Sequence, residues 1–210
     1  MITDNIKVIV FDFDGTLVES NKPKYDAFFK LFPNDDYHRG IISGVLSTDL
    51  EKSRYVILKH IIDKLGVSNE KKPEDWVASL AEKYNDLVIQ VAKTCDEKPG
   101  AKEVLDKLST RYHLYLSSTT PEEPLKEIIN YRNWSGYFID IYGYPRKKPE
   151  TILEILQKES VDNKEIIVVG DGESDRTSAS ETGCQFYHIN ENNSLEKVLK
   201  EYIKGRFYGN

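Results

Sequence analysis

The sequence predicts an α/β protein: a doubly wound, Rossmann-like parallel sheet, interrupted after its first strand by an all-helical insertion. From residue 98 onward, apolar strands alternate with amphipathic helices, which indicates a parallel sheet with helices on both faces. The segment Val8–Phe11 is wholly apolar, as expected for a strand buried on both faces. Between them, residues 19–97 show helix patterns and no strand pattern. The core is therefore assigned to residues 1–18 and 98–210, and the insertion to residues 19–97.

The first strand ends in a turn at residues 12–15, and the chain then becomes helical. Ser20 or Asn21 is suited to cap a helix that has Pro23 in its first turn, where a proline is tolerated. This first helix of the insertion is predicted to end near Pro33.

Two more helices are predicted in the insertion. Thr48 and Glu51 form a capping-box pair before a series of apolar residues, and Gly66 fits the C-terminus of that helix. Pro73 opens the next helix. The stretch 34–47 is polar and contains glycine, so no element is assigned to it. The apolar series of the second helix is Tyr55, Leu58, Ile61, Ile62 and Leu65.

After the insertion the predicted elements alternate in type along the chain. They are helix 101–109, strand 113–117, helix 121–132, strand 138–143, helix 149–160, strand 165–170, helix 175–182, strand 185–189 and helix 193–203. With the first strand, they complete the parallel sheet.

Composition limits the classes of function. The chain has 210 residues, of which 39% are hydrophobic and 30% charged, and its net charge is -6. This charge disfavours nucleic acid and anionic membranes as partners, and no apolar stretch has the length of a membrane span. Cys95 and Cys184 are far apart and form no metal-binding pattern. We expect a cytoplasmic protein, a monomer or homodimer, with two reduced thiols.

Asp12 and Asp14 directly follow the first strand. The carboxyl ends of parallel strands deliver side chains to a ligand crevice. Two anions so close together destabilise each other unless a cation, a proton or backbone donors compensate, and a divalent metal would do so. A run of Asp, Phe, Asp and Gly is also typical of an ordinary turn. For this run taken alone, both interpretations are open.

Hydroxyl side chains follow a second strand in the same way. Ser117 and Ser118 come after an apolar strand and before a helix, where hydroxyls and backbone N–H groups can bind phosphate oxygens. The alternative is ordinary helix capping by Thr119 or Thr120.

Two later strand ends carry charges of opposite sign. Arg146, Lys147 and Lys148 form a cationic turn in which a lysine could neutralise both a carboxylate nucleophile and a transferred phosphoryl group. Solvated basic loops are also common, and spacing does not say which of the three side chains points inward. Asp171 ends a strand and Asp175 starts a helix, as a second pair of metal-facing carboxylates would. An Asp at a helix start is also a routine partner of the helix dipole.

In chain order, these segments resemble the four motifs of the haloacid dehalogenase superfamily of phosphotransferases, and the resemblance covers the whole core. It implies Mg²⁺ as cofactor, Asp12 as a nucleophile that becomes an aspartyl-phosphate, and Asp14 as general acid and base. Lys148 is preferred to Lys147 because a lysine before Pro and Glu at a helix start looks like the family's form. The catalytic residues implied are Asp12, Asp14 and Lys148; the phosphate- or substrate-binding residues are Gly15, Thr16, Ser117, Ser118 and Arg54; and the metal ligands are Asp12, Asp14 through its carbonyl, Asp171 and Asp175.

The resemblance also implies a function for the insertion. It is similar to the helical cap of phosphoglycolate phosphatase-like and β-phosphoglucomutase-like members, which closes over the site and contacts the substrate. Each candidate has a simpler alternative, which is packing for Tyr55 and solvation for the charged residues. The candidate contacts are Arg54, Tyr55, His38, Arg39 and Lys52.

Together these residues predict a phosphatase that acts on a small phosphorylated metabolite. An acid at the position of Asp14 argues against dehalogenation, because superfamily members that attack carbon lack it. Two alternatives stay open: a phosphomutase of the β-phosphoglucomutase type, and a non-catalytic phosphate-binding protein on the same fold.

Overall fold

The computed structural model of the protein describes residues 5–49, 52–66 and 73–204. By its contacts the chain divides into two compact units, residues 1–20 with 95–210 and residues 21–94. The boundaries lie beside those expected from the sequence, and the role of the second unit as a cap stays a prediction.

The described strands and α-helices follow the predicted alternation closely. In chain order they are β1 (Val8–Phe11), α1 (Asn21–Phe29), α2 (Asp36–Asp49), α3 (Arg54–Leu65), α4 (Pro73–Thr94), α5 (Ala101–Leu108), β2 (His113–Pro121), α6 (Glu122–Tyr131), β3 (Asp140–Tyr144), α7 (Lys148–Glu159), β4 (Ile166–Gly170), α8 (Glu173–Thr182), β5 (Gln185–His188) and α9 (Leu195–Lys204). No helix in the ranges that the structure describes is long and apolar enough to cross a membrane.

The described strands of the first unit form one five-stranded sheet in the order β3-β2-β1-β4-β5, and all neighbours are parallel. The predicted fold class is therefore confirmed. The central strand β1 pairs Phe11 with Leu116 of β2 on one side and with Val169 of β4 on the other. Residues that follow these three positions consequently meet at the same edge of the sheet.

One face of the sheet is covered by α7 and α8. Side chains alternate between the faces of a strand, so Val8 and Val10 lie on this face while Ile9 and Phe11 lie on the other. All four are fully buried, with at most 1% of their surface exposed, which explains the continuous apolar run. The core on the α7 and α8 side consists of Val8, Val10, Tyr115, Tyr142, Ile152, Ile155, Ile166, Val168 and Ala179.

The second unit has a core of its own, built by α1 to α4. Its helix α2 occupies most of the stretch that received no assignment from the sequence. The carboxylate of Asp35 caps it by accepting the N–H of His38 at 2.9 Å. Gly40 and Gly44 each cost about 1 kcal/mol of helix propensity. Packing of one apolar face of α2 offsets that cost, because Ile42, Val45 and Leu46 are buried.

The start of α3 differs from the prediction. Thr48 lies inside α2, and Ser53 caps α3 by accepting the N–H of Val56 at 3.5 Å, so the predicted capping box is wrong. Its other member, Glu51, lies outside the described residues. Gly66 ends the helix in a left-handed conformation at φ +64°, as predicted. Tyr55 does not belong to the buried apolar series, since it is 50% exposed on the first turn.

The two connections of the insertion pair with each other. Val18 forms an antiparallel bridge with Glu97, and the N–H of Glu19 donates to the carbonyl of Asp96 at 2.8 Å. The N–H of Lys98 donates to the carbonyl of Leu17 at 2.9 Å. The first unit therefore holds the points of departure and return of the insertion side by side.

Candidate active site

The site begins where β1 ends, at a turn made by residues 12–18. The N–H of Asp12 still donates to Val169 of β4 at 2.9 Å, so the strand geometry extends to this residue. Gly15 then adopts φ +77°, a conformation that favours glycine, and its N–H donates to the carbonyl of Val18 at 2.9 Å. We therefore assign Gly15 to the turn, and its phosphate contact stays a prediction.

Lys148 is the residue of the cationic turn that points into the site. Its Nζ lies 2.7 Å from Oδ1 of Asp12 and 2.6 Å from Oδ1 of Asp175. Arg146 and Lys147 are exposed, and the guanidinium of Arg146 pairs with Glu154 at 2.7 Å. The geometry thus agrees with the choice of Lys148, although its catalytic role stays a prediction.

Burial dominates the electrostatics of this group. Removal from water raises the pKa of Asp12 to about 7; Asp175 and Asp14 add to the shift, and the Lys148 ammonium opposes it. Burial also raises the pKa of Asp175. For Lys148 burial acts downward, but the charges of Asp12 and Asp175 outweigh it and hold its pKa above the ordinary value. A further cation near the two carboxylates would be stabilised there.

The donor set fits a divalent metal ion. Carboxylate oxygens of Asp12, Asp171 and Asp175 all lie within 4.8 Å of one another. Hard cations such as Mg²⁺ prefer oxygen ligands of this kind. The buried hydroxyl of Thr16 lies 3.4 Å from Oδ2 of Asp12 and 3.2 Å from Oδ1 of Asp171, so it connects two of the three carboxylates.

Two glycines fix the third carboxylate. A Cβ atom at Gly170 would lie 2.2 Å from Cγ of Asp175, a distance that no substituent could occupy. The N–H of Gly172 donates to Oδ2 of Asp175 at 3.2 Å. The glycines around Asp171 therefore let the first turn of α8 bring Asp175 against the end of β4.

Hydroxyl groups surround Asp14. Its Oδ1 accepts from Ser20 at 2.7 Å, and its Oδ2 accepts from Thr120 at 2.9 Å, with the Ser118 hydroxyl at 3.5 Å. The sequence pattern indicates only helix capping for Thr120. That alternative is wrong, because α6 has Pro121 at its N-cap and no side-chain cap.

The two contacts with Asp14 that were missed have different explanations. Because β2 continues to Pro121, Ser118 and Thr120 are two residues apart in extended chain and share a face. A longer strand prediction would have revealed Thr120. Ser20 was considered only as a cap of α1, and its spacing from Asp14 carries no comparable signal.

Gly143 supports the position of Thr120. A Cβ atom there would lie 2.5 Å from the carbonyl oxygen of Thr120 and 2.5 Å from Cα of Glu122. Glycine therefore allows β3 to approach the junction of β2 and α6 closely.

The remaining predicted binding residues have less defined roles. Ser117 is buried, with 4% exposed, in the middle of β2, and it directly follows Leu116, the residue that pairs with Phe11. Its phosphate contact stays a prediction. Arg54 belongs to the second unit, where its guanidinium lies 5.5 Å from the ring centre of Tyr55, and its substrate contact also stays a prediction.

Other charged candidates of the insertion bond to polar groups of their own unit. His38 pairs with Asp35 at 2.8 Å, Arg39 donates to Asn34 at 2.7 Å, and Lys52 pairs with Asp49 at 2.8 Å. These local pairs favour the simpler alternative for the three residues.

Comparisons with known proteins agree with this geometry. A family model described as haloacid dehalogenase-like hydrolase matches residues 9–189. Over 203 residues the chain is 26% identical to a phosphoglycolate phosphatase from Vibrio vulnificus, covering 90% of this chain and 86% of that protein.

Solved structures extend the likeness. The HAD-hydrolase YfnB from Bacillus subtilis, bound to magnesium, superposes with a TM-score of 0.72 at 15% identity, over 95% of this chain and 99% of that one. A protein described as a β-phosphoglucomutase from Thermotoga maritima gives 0.66 at 20% identity, over 93% and 91%. At such identities these structures show a shared fold.

Proposed function

Because the chain belongs to the haloacid dehalogenase-like hydrolases, we propose that it is a Mg²⁺-dependent phosphatase that hydrolyses a small phosphomonoester through phosphorylated Asp12. The observation that carries this proposal is the position of Lys148, whose Nζ lies 2.7 Å from Asp12 beside three clustered carboxylates. The curated relative named phosphoglycolate phosphatase supports a phosphomonoester as substrate.

The first step transfers the phosphoryl group to Asp12. When bound by Asp12, Asp171 and Asp175, with the carbonyl of Asp14, Mg²⁺ would neutralise charge on the phosphoryl oxygens. A carboxylate oxygen of Asp12 forms a bond to phosphorus while the bond from phosphorus to the leaving oxygen breaks. Lys148 reduces the repulsion between the two anions, and protonated Asp14 gives its proton to the leaving oxygen.

The second step reverses the role of Asp14. Its carboxylate takes a proton from the water that attacks phosphorus, and the bond between phosphorus and Asp12 breaks to release inorganic phosphate. Asp12 is then ionised and Asp14 protonated, as at the start. The hydroxyls of Ser20 and Thr120 suit this cycle because a hydroxyl can both donate and accept. Ser117, Ser118 and Thr16 are proposed to bind the phosphoryl oxygens.

We also propose a location and a class of partner. Cys95 and Cys184 are free thiols, which supports a reducing compartment such as the cytoplasm. The net charge of -6 supports a small metabolite rather than nucleic acid as ligand. We infer a monomer or a homodimer.

Phosphate release by the purified protein with Mg²⁺ tests the function. We would screen phosphorylated metabolites, beginning with 2-phosphoglycolate, against the wild type and against Asp12→Asn, which keeps the shape of the side chain. We expect release by the wild type, none by the variant, and loss of release when EDTA removes the metal. Normal turnover by Asp12→Asn, free of contaminating phosphatase, would contradict the nucleophile.

The same screen separates the alternatives. A phosphomutase would isomerise a sugar phosphate when primed with a bisphosphate and would hydrolyse it poorly. A non-catalytic binding protein would release no phosphate and would bind no beryllium fluoride, an acyl-phosphate analogue, at Asp12.

A further inference from the structure

His188 lies next to the candidate metal site but belongs to none of the predicted motifs. It is the last residue of β5 and pairs in register with Gly170, the last residue of β4. Its Nε2 lies 3.1 Å from the backbone carbonyl oxygen of Asp171. Its ring stacks on Phe186 with centroids 5.8 Å apart, so packing holds the ring in the plane that allows this contact.

The neighbours of the other ring nitrogen determine the tautomer. Nδ1 of His188 lies 3.1 Å from the amide nitrogen of Asn190 and 3.5 Å from a guanidinium nitrogen of Arg176. The orientation of the Asn190 amide is fixed, because its oxygen accepts the N–H groups of Asn192 at 2.9 Å and Asn193 at 3.0 Å. Nδ1 therefore faces two donors and must accept. The ring proton is on Nε2, where it can be donated to Asp171.

The carbonyl that His188 contacts belongs to a peptide group with a second function. On its other side is the N–H of Gly172, which donates to Oδ2 of Asp175 at 3.2 Å. If this peptide group turned over, its carbonyl oxygen would point at the Asp175 carboxylate. The hydrogen bond from His188 opposes that rotation, and hydrogen bonds on both sides of one peptide strengthen each other.

From this arrangement we propose that His188 is a positioning residue for the metal site: through Nε2–H it fixes the peptide between Asp171 and Gly172. That peptide carries one metal-facing carboxylate, Asp171, and binds a second, Asp175. The inference rests on the proposed Mg²⁺ site and assigns to it a residue of β5. A residue that hydrogen-bonds to a metal ligand, and does not itself bind the metal, typically changes metal affinity by about 10–100-fold when it is substituted.

Two amide substitutions of His188 distinguish the effect of losing its hydrogen-bond donor from the effect of losing its ring packing. In His188→Gln the side-chain nitrogen can take the place of Nε2 and still donate to Asp171. In His188→Asn the same amide is one methylene shorter and occupies the place of Nδ1, so it cannot reach. Titration calorimetry with MgCl₂ measures binding without turnover. We expect His188→Gln to bind within about twofold of the wild type, and His188→Asn to bind about tenfold more weakly.

Turnover gives a second readout. The Mg²⁺ concentration for half-maximal phosphate release should rise about tenfold in His188→Asn, while kcat at saturating Mg²⁺ changes by less than about twofold. General damage to the fold would instead lower kcat and the unfolding temperature in both variants.

A nitrogen-15 NMR spectrum of the metal-free wild type tests the tautomer directly, with His188→Gln to assign the signals. The proposal expects a protonated Nε2 and an unprotonated Nδ1, and a proton on Nδ1 would overturn it. Equal Mg²⁺ affinity of His188→Asn and the wild type, or equal loss in both variants, would also overturn it. If the wild type itself bound no Mg²⁺, the metal site of the proposed function would fail, and the role of His188 toward the metal with it.

Discussion

Asp12 and Asp14 follow the same strand, but the protein surrounds the two carboxylates with different chemistry. Asp12 is buried against the ammonium of Lys148 at 2.7 Å and lies among other carboxylates. Asp14 is partly buried and accepts hydroxyl groups from Ser20 at 2.7 Å and Thr120 at 2.9 Å. An ammonium stabilises only the ionised carboxylate, whereas hydroxyls can bond to either protonation state. A neighbouring charge therefore distinguishes Asp12, the proposed nucleophile, and adaptable hydrogen bonds distinguish Asp14, the proposed acid and base.

Loss of the ammonium should have the largest effect. In Lys148→Met, Asp12 and Asp175 lose their shared cation inside the protein, so we expect kcat to fall by at least about 10³-fold. The metal-free variant should also lose about 3–5 kcal/mol of unfolding free energy, because removal of one partner leaves buried charge uncompensated. Phosphate release and urea unfolding in EDTA measure the two effects.

Lys147→Met is the matched control for this change. Lys147 precedes Lys148 in the same turn and is exposed. Its removal should leave kcat and the free energy of unfolding nearly unchanged. An equal loss in both variants would indicate that the turn acts through its overall charge rather than through one contact.

A steric change should disturb the carboxylate cluster around Asp12 without altering any charge. Gly170→Ala places a methyl group where Cγ of Asp175 is only 2.2 Å away, so this carboxylate must move. A displacement of this size should lower kcat/KM by about 100-fold and weaken Mg²⁺ binding. Gly136→Ala is the control, because an added Cβ there has no atom within 4 Å. Unchanged kinetics in Gly170→Ala would argue against a tightly fixed Asp175.

Turnover should respond less strongly to substitutions around Asp14, because this carboxylate is bound by hydrogen bonds from neutral groups. Thr120→Val removes the hydroxyl and keeps the shape, and we expect kcat to fall by about tenfold, the equivalent of one hydrogen bond. Thr120→Ser should restore most of the activity. The loss should be smaller for an aryl phosphate than for an alkyl phosphate, since a good leaving group needs less protonation. A failure of serine to rescue would indicate that Thr120 acts through its methyl group.

The last expected effect concerns stability and not turnover: stability should depend on pH. Asp12 has a pKa raised from 3.8 to about 7 in the folded, metal-free protein, so folding favours its protonated form. Its contribution to stability is complete below about pH 4 and is lost as the pH rises through about 7. In EDTA, the Tm of the wild type relative to Asp12→Asn should therefore fall by several degrees over this range. Mg²⁺ should reverse the fall, and a constant Tm difference in EDTA would contradict the raised pKa.

Much of the core could be predicted because its strands are buried on both faces. Val8–Phe11 and Ile166–Gly170 are continuous apolar runs, each followed directly by an aspartate, and such runs have few other structural explanations. The site residues at these strand ends were found for the same reason. Topology brings their side chains together once the strands are parallel neighbours.

Features that depend on tertiary packing could not be predicted. Helix α2 was not predicted because its two glycines lower its helix propensity. The helix is stabilised by packing of its apolar face against the neighbouring helices. Spacing alone did not separate Lys147 from Lys148, because consecutive residues at the start of a helix point about 100° apart and spacing does not set the rotation. The choice of Lys148 came from the family resemblance. The role of Thr120 depended on where β2 ends.

The bridge between Val18 and Glu97 has an evolutionary consequence. Since this isolated bridge ties the two residues together, a different insertion needs to match the first unit only at this narrow seam. We expect that a different or shorter helical insertion could replace this one while the carboxylates at the strand ends stay in place. The seam therefore allows the insertion and the aspartates at the strand ends to evolve independently of each other.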